Sequence, residues 1–377
     1  MVKTGTTSIQ STLFSLQPGG RHRLLTLDPF FGNWLMGSAF APDYGIGERF
    51  ISDGVTAHMA ATAPRRSRVY LDRCLAAAAR RGCTPILSAE IISGLPRRGL
   101  EELRDFLHER SWRPALILYV RAPLDLLASM FQQRLRAGRI ASRIPVLLMP
   151  YLLHSSKLGY AKQLLLLEEV FGRRQMTMSW FDPLSFDAGC VVRHFCSLLG
   201  LPLRADAVVR VNEGLSLDAT RFLYALAVSG YGTMPMPLYR LQRAVLLRRL
   251  ATLPGPPLRF HPHLTAPYID AIQADLAWLE QRFQRTLPLT LHAAELGSGV
   301  RCEADLLDFS AHSLEWLGQA SGQRPVKPRQ GADTVAGVVA QLMAISGINA
   351  VRHSWPILVG EGRQRLRRHL LSILNRC

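Results

Sequence analysis

A run of six apolar residues, followed at once by an arginine and a proline turn, limits the folds open to this chain more than any other feature. Residues 115–120 (Ala-Leu-Ile-Leu-Tyr-Val) have the length and composition of a strand buried on both faces. Pro123 stands where a first helical position is expected, and Leu124 to Arg136 keeps a helical periodicity. We therefore predict a buried strand that ends at Arg121 and leads directly into a helix.

Helices and short apolar strands alternate on both sides of this unit. Thr84 to Ser88 is predicted to be another buried parallel strand, which ends just before Glu90, and Gln175 to Trp180 alternates like a further one. Helical patterns occur at Thr6–Phe14, Ser67–Arg81, Leu100–Glu109, Leu158–Phe171 and Phe186–Leu199. This alternation indicates an α/β fold in which a parallel sheet lies between layers of helices.

Strand patterns give way to helical patterns beyond Asn212. We predict an α/β core at residues 1–217, a helical completion of that core at 218–317, a linker at 318–331 and a C-terminal helical appendage at 332–377. The linker assignment depends on a run rich in glycine, glutamine, proline and basic side chains. The appendage is expected to contain two helices.

Residues 3–8 (Lys-Thr-Gly-Thr-Thr-Ser), here called the anion loop, are suited to hold a negatively charged group. They combine an ammonium, a glycine turn and several hydroxyls at the start of the predicted helix Thr6–Phe14. Backbone N–H groups at a helix N-terminus attract anions. Because only four of the 45 basic residues are lysine, the lysine at position 3 is informative. The predicted anion ligands are Lys3, Thr4, Gly5, Thr6, Thr7 and Ser8.

The order of residues in the anion loop argues against a nucleotide-hydrolysing phosphate loop, in which the lysine follows two glycines. Here Lys3 precedes the single Gly5, and two threonines open the helix. In this order the loop resembles that of the sulfotransferases, which binds the 5′-phosphosulfate of 3′-phosphoadenosine 5′-phosphosulfate (PAPS). The resemblance implies that the anion loop holds PAPS as co-substrate and that the chemistry needs no metal.

The end of the predicted strand carries a second resemblance to the same family. Sulfotransferases bind the 3′-phosphate with an arginine at a strand end and a serine eight residues later, on the helix that follows a proline turn. Arg121 and Ser129 have this spacing. A guanidinium fork and a helix hydroxyl are both suitable ligands of a phosphate. The resemblance implies that Arg121 and Ser129 bind the 3′-phosphate.

Looser similarity continues through residues 160–181 and 191–201 to 210–216, so that the resemblance covers about residues 1–285. It is to bacterial sulfotransferases related to the carbohydrate-modifying group. It implies a P-loop-like sulfotransferase fold with a short central parallel sheet flanked by helices and a helix-rich C-terminal part. The implied reaction transfers a sulfuryl group from PAPS to a hydroxyl of a small molecule, saccharide or glycan, and the positive charge of the chain suits an anionic acceptor.

The resemblance also implies two catalytic residues. Lys3 would stabilise the charge that develops on the bridging oxygen of the leaving phosphate. Glu90 follows the predicted strand at the place where this family has a catalytic histidine or glutamate, and it would accept the proton of the acceptor hydroxyl. The other interpretation of Glu90 is a solvated carboxylate or the partner of an arginine. Asp28 and His58 are weaker alternatives for the base.

Other polar residues have a structural explanation beside a functional one. Asn212 and Ser216 fall in a segment similar to a sulfotransferase motif, but a helix that starts there also needs such a side chain as its cap. Cys190, His194 and Cys196 share one predicted helix with apolar residues, which favours core packing over metal binding. We predict no metal site.

The segment before the anion loop conflicts with this interpretation. A phosphate loop normally follows a buried central strand, whereas only Met1 and Val2 precede Lys3 here. Either the natural start lies upstream, or the chain is truncated before its first strand. The alternative function is therefore a catalytically inactive sulfotransferase-fold protein that binds an anionic ligand or partner.

The net charge of the chain indicates which partners it could bind, and its hydropathy indicates where in the cell we expect it. The formal net charge of +17 suits anionic nucleotides, acidic glycans, nucleic acid and anionic lipid alike. A charge-driven nucleic-acid-binding protein is a further alternative, although the sequence carries no recognisable nucleic-acid motif. Without a signal peptide or an apolar run of ~18 residues, we expect a cytoplasmic protein. The basic amphipathic residues 363–374 either dock on the protein or contact a membrane surface.

Overall fold

The computed structural model of this chain describes residues 4–16, 32–41, 57–137, 160–210, 214–229, 236–290, 299–327 and 332–346. The described residues form two compact units. Residues 4–121 and 160–210 belong to the first unit, and residues 122–137 and 214–346 belong to the second, in each case as far as they are described. Their structure is mixed α/β, mostly helical, with one small parallel sheet.

The helices and strands follow one another along the chain as α1 (Thr6–Ser15), α2 (Gly32–Phe40), α3 (Ala57–Arg80), α4 (Arg97–His108), β1 (Leu116–Arg121), α5 (Pro123–Ala137), α6 (Ala161–Phe171), β2 (Met176–Phe181), α7 (Val191–Leu198), α8 (Leu217–Val228), α9 (Met236–Leu250), α10 (Pro262–Phe283), α11 (Ala311–Ser321) and α12 (Ala332–Ile345).

The sheet of the first unit consists, among the described residues, of β1 and β2. They pair in parallel from Leu116 opposite Met176 to Arg121 opposite Phe181. Both strands were predicted, and each is confirmed one residue further along the chain than the pattern indicated. Parallel strands end at the same edge of a sheet, so the side chains of Arg121 and Phe181 are brought to one edge.

Helices α1 and α7 cover one face of this sheet. Ile117 and Tyr119 of β1 pack in a core cluster with Ile9 of α1 and Phe195 of α7. Tyr119 is 3% exposed and Phe195 is 8% exposed, so this contact excludes water almost completely. Burying side chains of this size stabilises the fold by about 1.5–3 kcal/mol each relative to exposure.

Helices α4 and α6 cover the opposite face. Side chains alternate along a strand, so Leu116 and Leu118 point away from the face that carries Ile117. On their side, α4 packs against α6, and Leu103 and Leu167 of these helices share a cavity with the two β1 leucines. The first unit is therefore layered: α1 and α7, then the sheet, then α4 and α6.

The predicted strand Thr84 to Ser88 is wrong. Residues 84–89 lie outside any assigned strand, and their side chains are half-buried or exposed rather than buried. The physical reason is a cavity of about 340 Å³ that lies against both this segment and residues 115–118. A strand needs ladder hydrogen bonds to a neighbour, and β1, the expected neighbour, makes its ladder with β2 instead.

The helix predicted from Phe186 begins later than the sequence pattern indicated. Two short 3-10 turns, Pro183–Ser185 and Asp187–Gly189, come first, and α7 begins only at Val191. Ala188 and Gly189 have φ values of 48° and 65°, in the left-handed region, which an α-helix does not allow. The other helices predicted for this unit are confirmed, with α3 starting ten residues earlier at Ala57.

The second unit is helical apart from isolated bridges, as far as it is described. Helix α8 lies at its centre and contacts α5 and α12, while α12 also packs against α9 and α11. The predicted start of α5 at Pro123 is confirmed. Gln132 of α5 is 7% exposed and donates hydrogen bonds to the backbone carbonyl of Leu215 at 2.8 Å and to the hydroxyl of Thr220 at 2.9 Å.

The predicted linker at 318–331 begins inside a helix, because α11 continues to Ser321 and ends at Gly322, whose φ is 68°. The amide of Gln341 in α12 donates to the backbone carbonyl of Arg324 at 2.6 Å, which fixes part of the following segment. The domain boundaries stay predictions. The basic segment 363–374 lies outside the described residues, and no described helix is long and apolar enough to cross a bilayer.

Candidate functional site

The anion loop turns through Gly5 into α1. Gly5 has φ 75° and ψ 13°, the left-handed conformation that glycine adopts without steric cost. A Cβ atom at this position would lie 2.6 Å from Cγ1 of Val191. Backbone conformation and space therefore both require glycine, which explains why the predicted loop contains it at this position.

The first turn of α1 has the features of an anion site. The first N–H groups of an α-helix have no acceptor four residues earlier, and Gly5, the N-cap of α1, has no side chain that could accept from them. The first turn of α1 has no acidic residue of its own. Thr4, which precedes the turn, is fully buried. Lys3, the predicted catalytic lysine, lies outside the described residues.

Glu90 lies beside the anion loop. The hydroxyl of Thr6 donates a hydrogen bond to Oε1 of Glu90 at 2.7 Å. Glu90 begins a 3-10 turn that runs to Gly94, directly after residues 84–89, which belong to no assigned helix or strand. Two residues that the family resemblance assigned to one site, Thr6 as a phosphosulfate ligand and Glu90 as the general base, are thus in direct contact.

A second contact between the same two elements supports this placement. The side-chain amide of Gln10, 5% exposed in α1, donates to the backbone carbonyl of Ser88 at 2.8 Å and approaches the Ser88 hydroxyl at 3.1 Å. Gln10 and Thr6 lie one helical turn apart, on the same face of α1. Hydrogen bonds from both side chains therefore hold this face of α1 against residues 88–90.

Arg121 reaches the same part of the first unit. Its guanidinium carbon lies 5.4 Å from the centroid of the Phe181 ring, within the range of a cation–π contact. The same ring lies 3.8 Å from the position that a Cβ on Gly5 would occupy. Phe181 is therefore a common neighbour of the predicted 3′-phosphate ligand and the anion loop. The hydroxyl of Tyr160 donates to the backbone carbonyl of Arg121 at 2.6 Å.

Ser129 belongs to the second unit and is half-buried in the second turn of α5. One turn earlier on this helix, the carboxylate of Asp125 accepts a hydrogen bond from Thr290 at 2.8 Å, and Arg259 lies 4.0 Å from it. These partners fix the first turn of α5, which also positions the part of the helix that carries Ser129.

The three residues considered for a metal site have other roles. The Cys190 and Cys196 side chains are buried in the core cluster under α7, and burial raises the pKa of the Cys196 thiol. His194 meets the hydroxyl of Tyr119, with 2.8 Å between this oxygen and Nδ1. Burial raises the pKa of Tyr119 above its ordinary value of 10.0, with a smaller contribution from Cys196. Among the described residues no group of three or more His, Cys, Asp or Glu side chains is placed to hold a metal ion.

Of the weaker candidate site residues, the structure gives Ser216 a capping role and leaves the others undescribed. Ser216 caps α8, since its hydroxyl accepts the N–H of Ala219 at 3.2 Å, which is the capping role weighed for it. Asp28 and Asn212 lie outside the described residues, as does the side chain of His58.

A cavity of about 340 Å³, here called the sheet cavity, adjoins the Thr6–Glu90 contact. It is lined by residues 84–90 and 112–118, and by apolar side chains of α4, α6 and α7. Its polar lining residues include Thr6, Ser88, Glu90 and Ser93 at one part, together with Thr84 and Arg113, and most of the others are apolar.

Sequence reasoning missed the contributions of Phe181 and Val191. Phe181 ends β2 and Val191 starts α7, and both pack against Gly5 although they are far from it along the chain. A signal was present in part, because the pattern at 175–180 predicted a strand whose end would lie beside Arg121 in a parallel sheet.

Comparison with known proteins gives no relative: no family model, curated protein or solved structure matches this chain. The chemistry of the site therefore has to be argued from its residues. The site combines a helix N-terminus, two threonine hydroxyls, a carboxylate in hydrogen-bond contact and a nearby guanidinium. Such a set of groups suits an anionic group that reacts beside a general base.

Proposed function

We propose that this protein is a PAPS-dependent sulfotransferase of P-loop-like fold. The observation that carries the proposal is the 2.7 Å hydrogen bond between Thr6 and Glu90. It puts the carboxylate at the loop where the sulfuryl group would be bound, which is where a base must be in order to reach the attacking hydroxyl. The Gly5 turn and the α1 N-terminus support the same assignment, because they suit the terminal anionic group of PAPS.

In this proposal the N–H groups and hydroxyls of residues 4–8 bind the 5′-phosphosulfate, and Arg121 binds the 3′-phosphate. Glu90 takes the proton from the acceptor hydroxyl as its oxygen bonds to sulfur. The bond from sulfur to the bridging oxygen breaks at the same time, and its electron pair stays on the phosphate. Lys3 neutralises the charge that develops on that oxygen, so it lowers the energy of the transition state more than that of the ground state.

The proposed acceptor is a hydroxyl of a saccharide or glycan. The net charge of +17 supports an acceptor that is itself anionic, since a basic surface raises the local concentration of acidic substrates. We propose that the reaction takes place in the cytoplasm and uses no metal.

The test is transfer of ³⁵S from labelled PAPS to a panel of neutral and acidic glycans by the full chain. Glu90→Gln removes the base and keeps a hydrogen-bond acceptor for Thr6, so we expect the rate to fall by about 10²–10⁴-fold. Glu101→Gln, in α4, is the matched control and should keep the parent rate. Equal loss in both variants would contradict the role of Glu90, and unchanged transfer by Glu90→Gln would exclude it as the base.

One observation favours the alternative of a sulfotransferase-fold protein that only binds its ligand. The segment leading to Glu90 forms no strand ladder with β1, and the sheet cavity lies beside it. A base whose supporting segment lacks a ladder is held less rigidly than catalysis requires. Saturable binding of 3′-phosphoadenosine 5′-phosphate without sulfuryl transfer to any acceptor in the panel would support this alternative.

A further inference from the structure

A second cavity, here called the basic groove, lies in the first unit at the start of β1. It measures about 630 Å³, and its lining includes Arg104, His108, Trp112, Arg113 and Phe171. These residues belong to α4, to the connection between α4 and β1, and to the end of α6. Arg121 and the anion loop lie where β1 ends, so the length of a six-residue strand, about 20 Å, lies between them and the basic groove.

The basic groove presents positive charge. Arg113 is exposed, and no ion pair or hydrogen bond to it is found in the part of the chain that the structure describes. Arg104 is held in place by the carboxylate of Asp105 at 2.7 Å and by the backbone carbonyl of Val170 at 3.4 Å. No carboxylate is among the described residues that line the groove. Two guanidinium groups in such surroundings suit an anionic partner.

The basic groove adjoins the sheet cavity. Residues 112–114 and Phe171 line both of them. Beyond this shared wall, the lining of the sheet cavity includes Leu103 and Leu167, which are 3% and 1% exposed. A positively charged space therefore borders an apolar one. A small inorganic anion would leave the apolar space unused, and a neutral apolar molecule would leave the guanidinium groups unused, whereas a molecule with an anionic head and an apolar chain matches both.

We propose that the basic groove and the sheet cavity together bind a single-chain anionic amphiphile, such as a medium-chain carboxylate. Its carboxylate pairs with Arg113 and Arg104, and its alkyl chain occupies the sheet cavity against Leu103 and Leu167. Burial of the chain removes apolar surface from water, while the head keeps charged partners and contact with solvent. The inference does not rest on the proposed sulfuryl transfer, because these four residues have no role in that reaction.

The experiment is calorimetric titration of the full chain with sodium decanoate below its critical micelle concentration. Sodium butanoate has the same head without the long chain, and decyltrimethylammonium has the same chain with the opposite charge. We expect saturable one-site binding of decanoate, with both comparison ligands binding at least about tenfold more weakly. Decanoate should also bind at least about tenfold more tightly than octanoate, since each buried methylene multiplies the affinity by about four.

Two variants assign the ligand to these cavities. Arg113→Ala should weaken decanoate binding at least about tenfold, because a charge-assisted contact is lost. Arg66→Ala is the matched control at an exposed position of α3 and should leave the affinity unchanged. Leu116→Trp fills the sheet cavity from β1 and should also weaken decanoate binding at least about tenfold. Thermal unfolding shows whether Leu116→Trp folds, and if it does not, Arg113→Ala decides the outcome.

Unchanged affinity for decanoate in Arg113→Ala would overturn the proposal, as would equal weakening by Arg66→Ala. Equal binding of decyltrimethylammonium would contradict a role for the charged head, and butanoate binding as tightly as decanoate would contradict a pocket for the chain. Vesicles of phosphatidylglycerol distinguish a free amphiphile from a membrane surface. Sedimentation of the chain with these vesicles, without any binding of decanoate, would assign the basic groove to a lipid headgroup and overturn the proposal.

Discussion

Thr6 donates its side-chain hydroxyl to Oε1 of Glu90 over 2.7 Å and so joins the first turn of α1 to the 3-10 turn that starts at Glu90. The two residues are 84 positions apart in the sequence. The contact sets the carboxylate against the N-terminus of a helix, where the dipole favours negative charge. A substrate anion would have to share that end of the helix with Glu90, which brings the base and the reacting group together.

Thr6→Val removes the hydroxyl and keeps the shape of the side chain. We expect a loss of about 1.5–3 kcal/mol in the free energy of unfolding, because one hydrogen bond to a half-buried carboxylate is lost. Thr7→Val is the matched control on the adjacent residue and should change stability less. Urea unfolding of both variants measures the difference, and equal losses would argue against a specific role for the Thr6 hydroxyl.

Gly5→Ala should destabilise the first unit by about 1–3 kcal/mol, since the residue has a φ of 75° and the new Cβ would lie 2.6 Å from Val191. Gly94→Ala is the control, because a Cβ there meets nothing within 4 Å. Adding Val191→Ala to Gly5→Ala relieves the clash but not the backbone strain, so we expect partial recovery. Full recovery would mean that the left-handed conformation costs nothing here.

Stability should fall as the pH rises above 10, in part through Tyr119. Burial raises its pKa in the folded protein above the value of 10.0 that applies to the unfolded chain. The unfolded chain then releases the Tyr119 proton at a lower pH than the folded chain does. The contribution of Tyr119 to the free energy of unfolding is therefore complete below pH 10 and decreases above it. Each such tyrosine can contribute a slope of up to about 1.4 kcal/mol per pH unit.

Tyr119→Phe tests this assignment. At pH 8 it should cost about 1 kcal/mol, through the lost contact with His194. Between pH 10 and pH 12 its stability should decline less steeply than that of the parent, so that the two curves of unfolding free energy against pH converge. Parallel curves would show that Tyr119 does not titrate differently in the two states.

Gln132→Leu should cost about 2–3 kcal/mol, because it leaves the N–H and C=O of Leu215 without their side-chain partner inside the second unit. Gln133→Leu makes the same chemical change at the neighbouring exposed position of α5 and should stay within about 0.5 kcal/mol of the parent. Chemical denaturation of both variants provides the comparison. Similar losses would show that the buried network does not stabilise α8.

The elements that could be predicted from the sequence are those whose local signals agree. β1 and α5 combine an apolar run, a proline at the first helical position and a long helical period, and all three indicate the same boundaries. The segment 84–88 carries the same apolar signal, yet it forms no strand. Strand formation depends on a partner, and the segment's own residues do not determine whether one is present.

The individual residues of the candidate site could be predicted better than the contacts between them. The need for glycine at position 5 and the end of β1 at Arg121 follow from local pattern, and both are found. The approach of Glu90 to Thr6 could be expected only through the family resemblance, since it depends on how α1 lies against a distant segment. The packing of Phe181 against both Gly5 and Arg121 is likewise set by the sheet, and no local signal specified it.

The sharpest test of a nucleotide site at the anion loop and Arg121 is calorimetric titration of the full chain with 3′-phosphoadenosine 5′-phosphate. We expect saturable one-site binding that Arg121→Ala weakens at least about tenfold, the loss of a charge-assisted contact to phosphate. Arg81→Ala removes the same charge from an exposed position and should leave the affinity unchanged. Equal affinity in Arg121→Ala and the parent, or equal weakening by Arg81→Ala, would contradict the assignment.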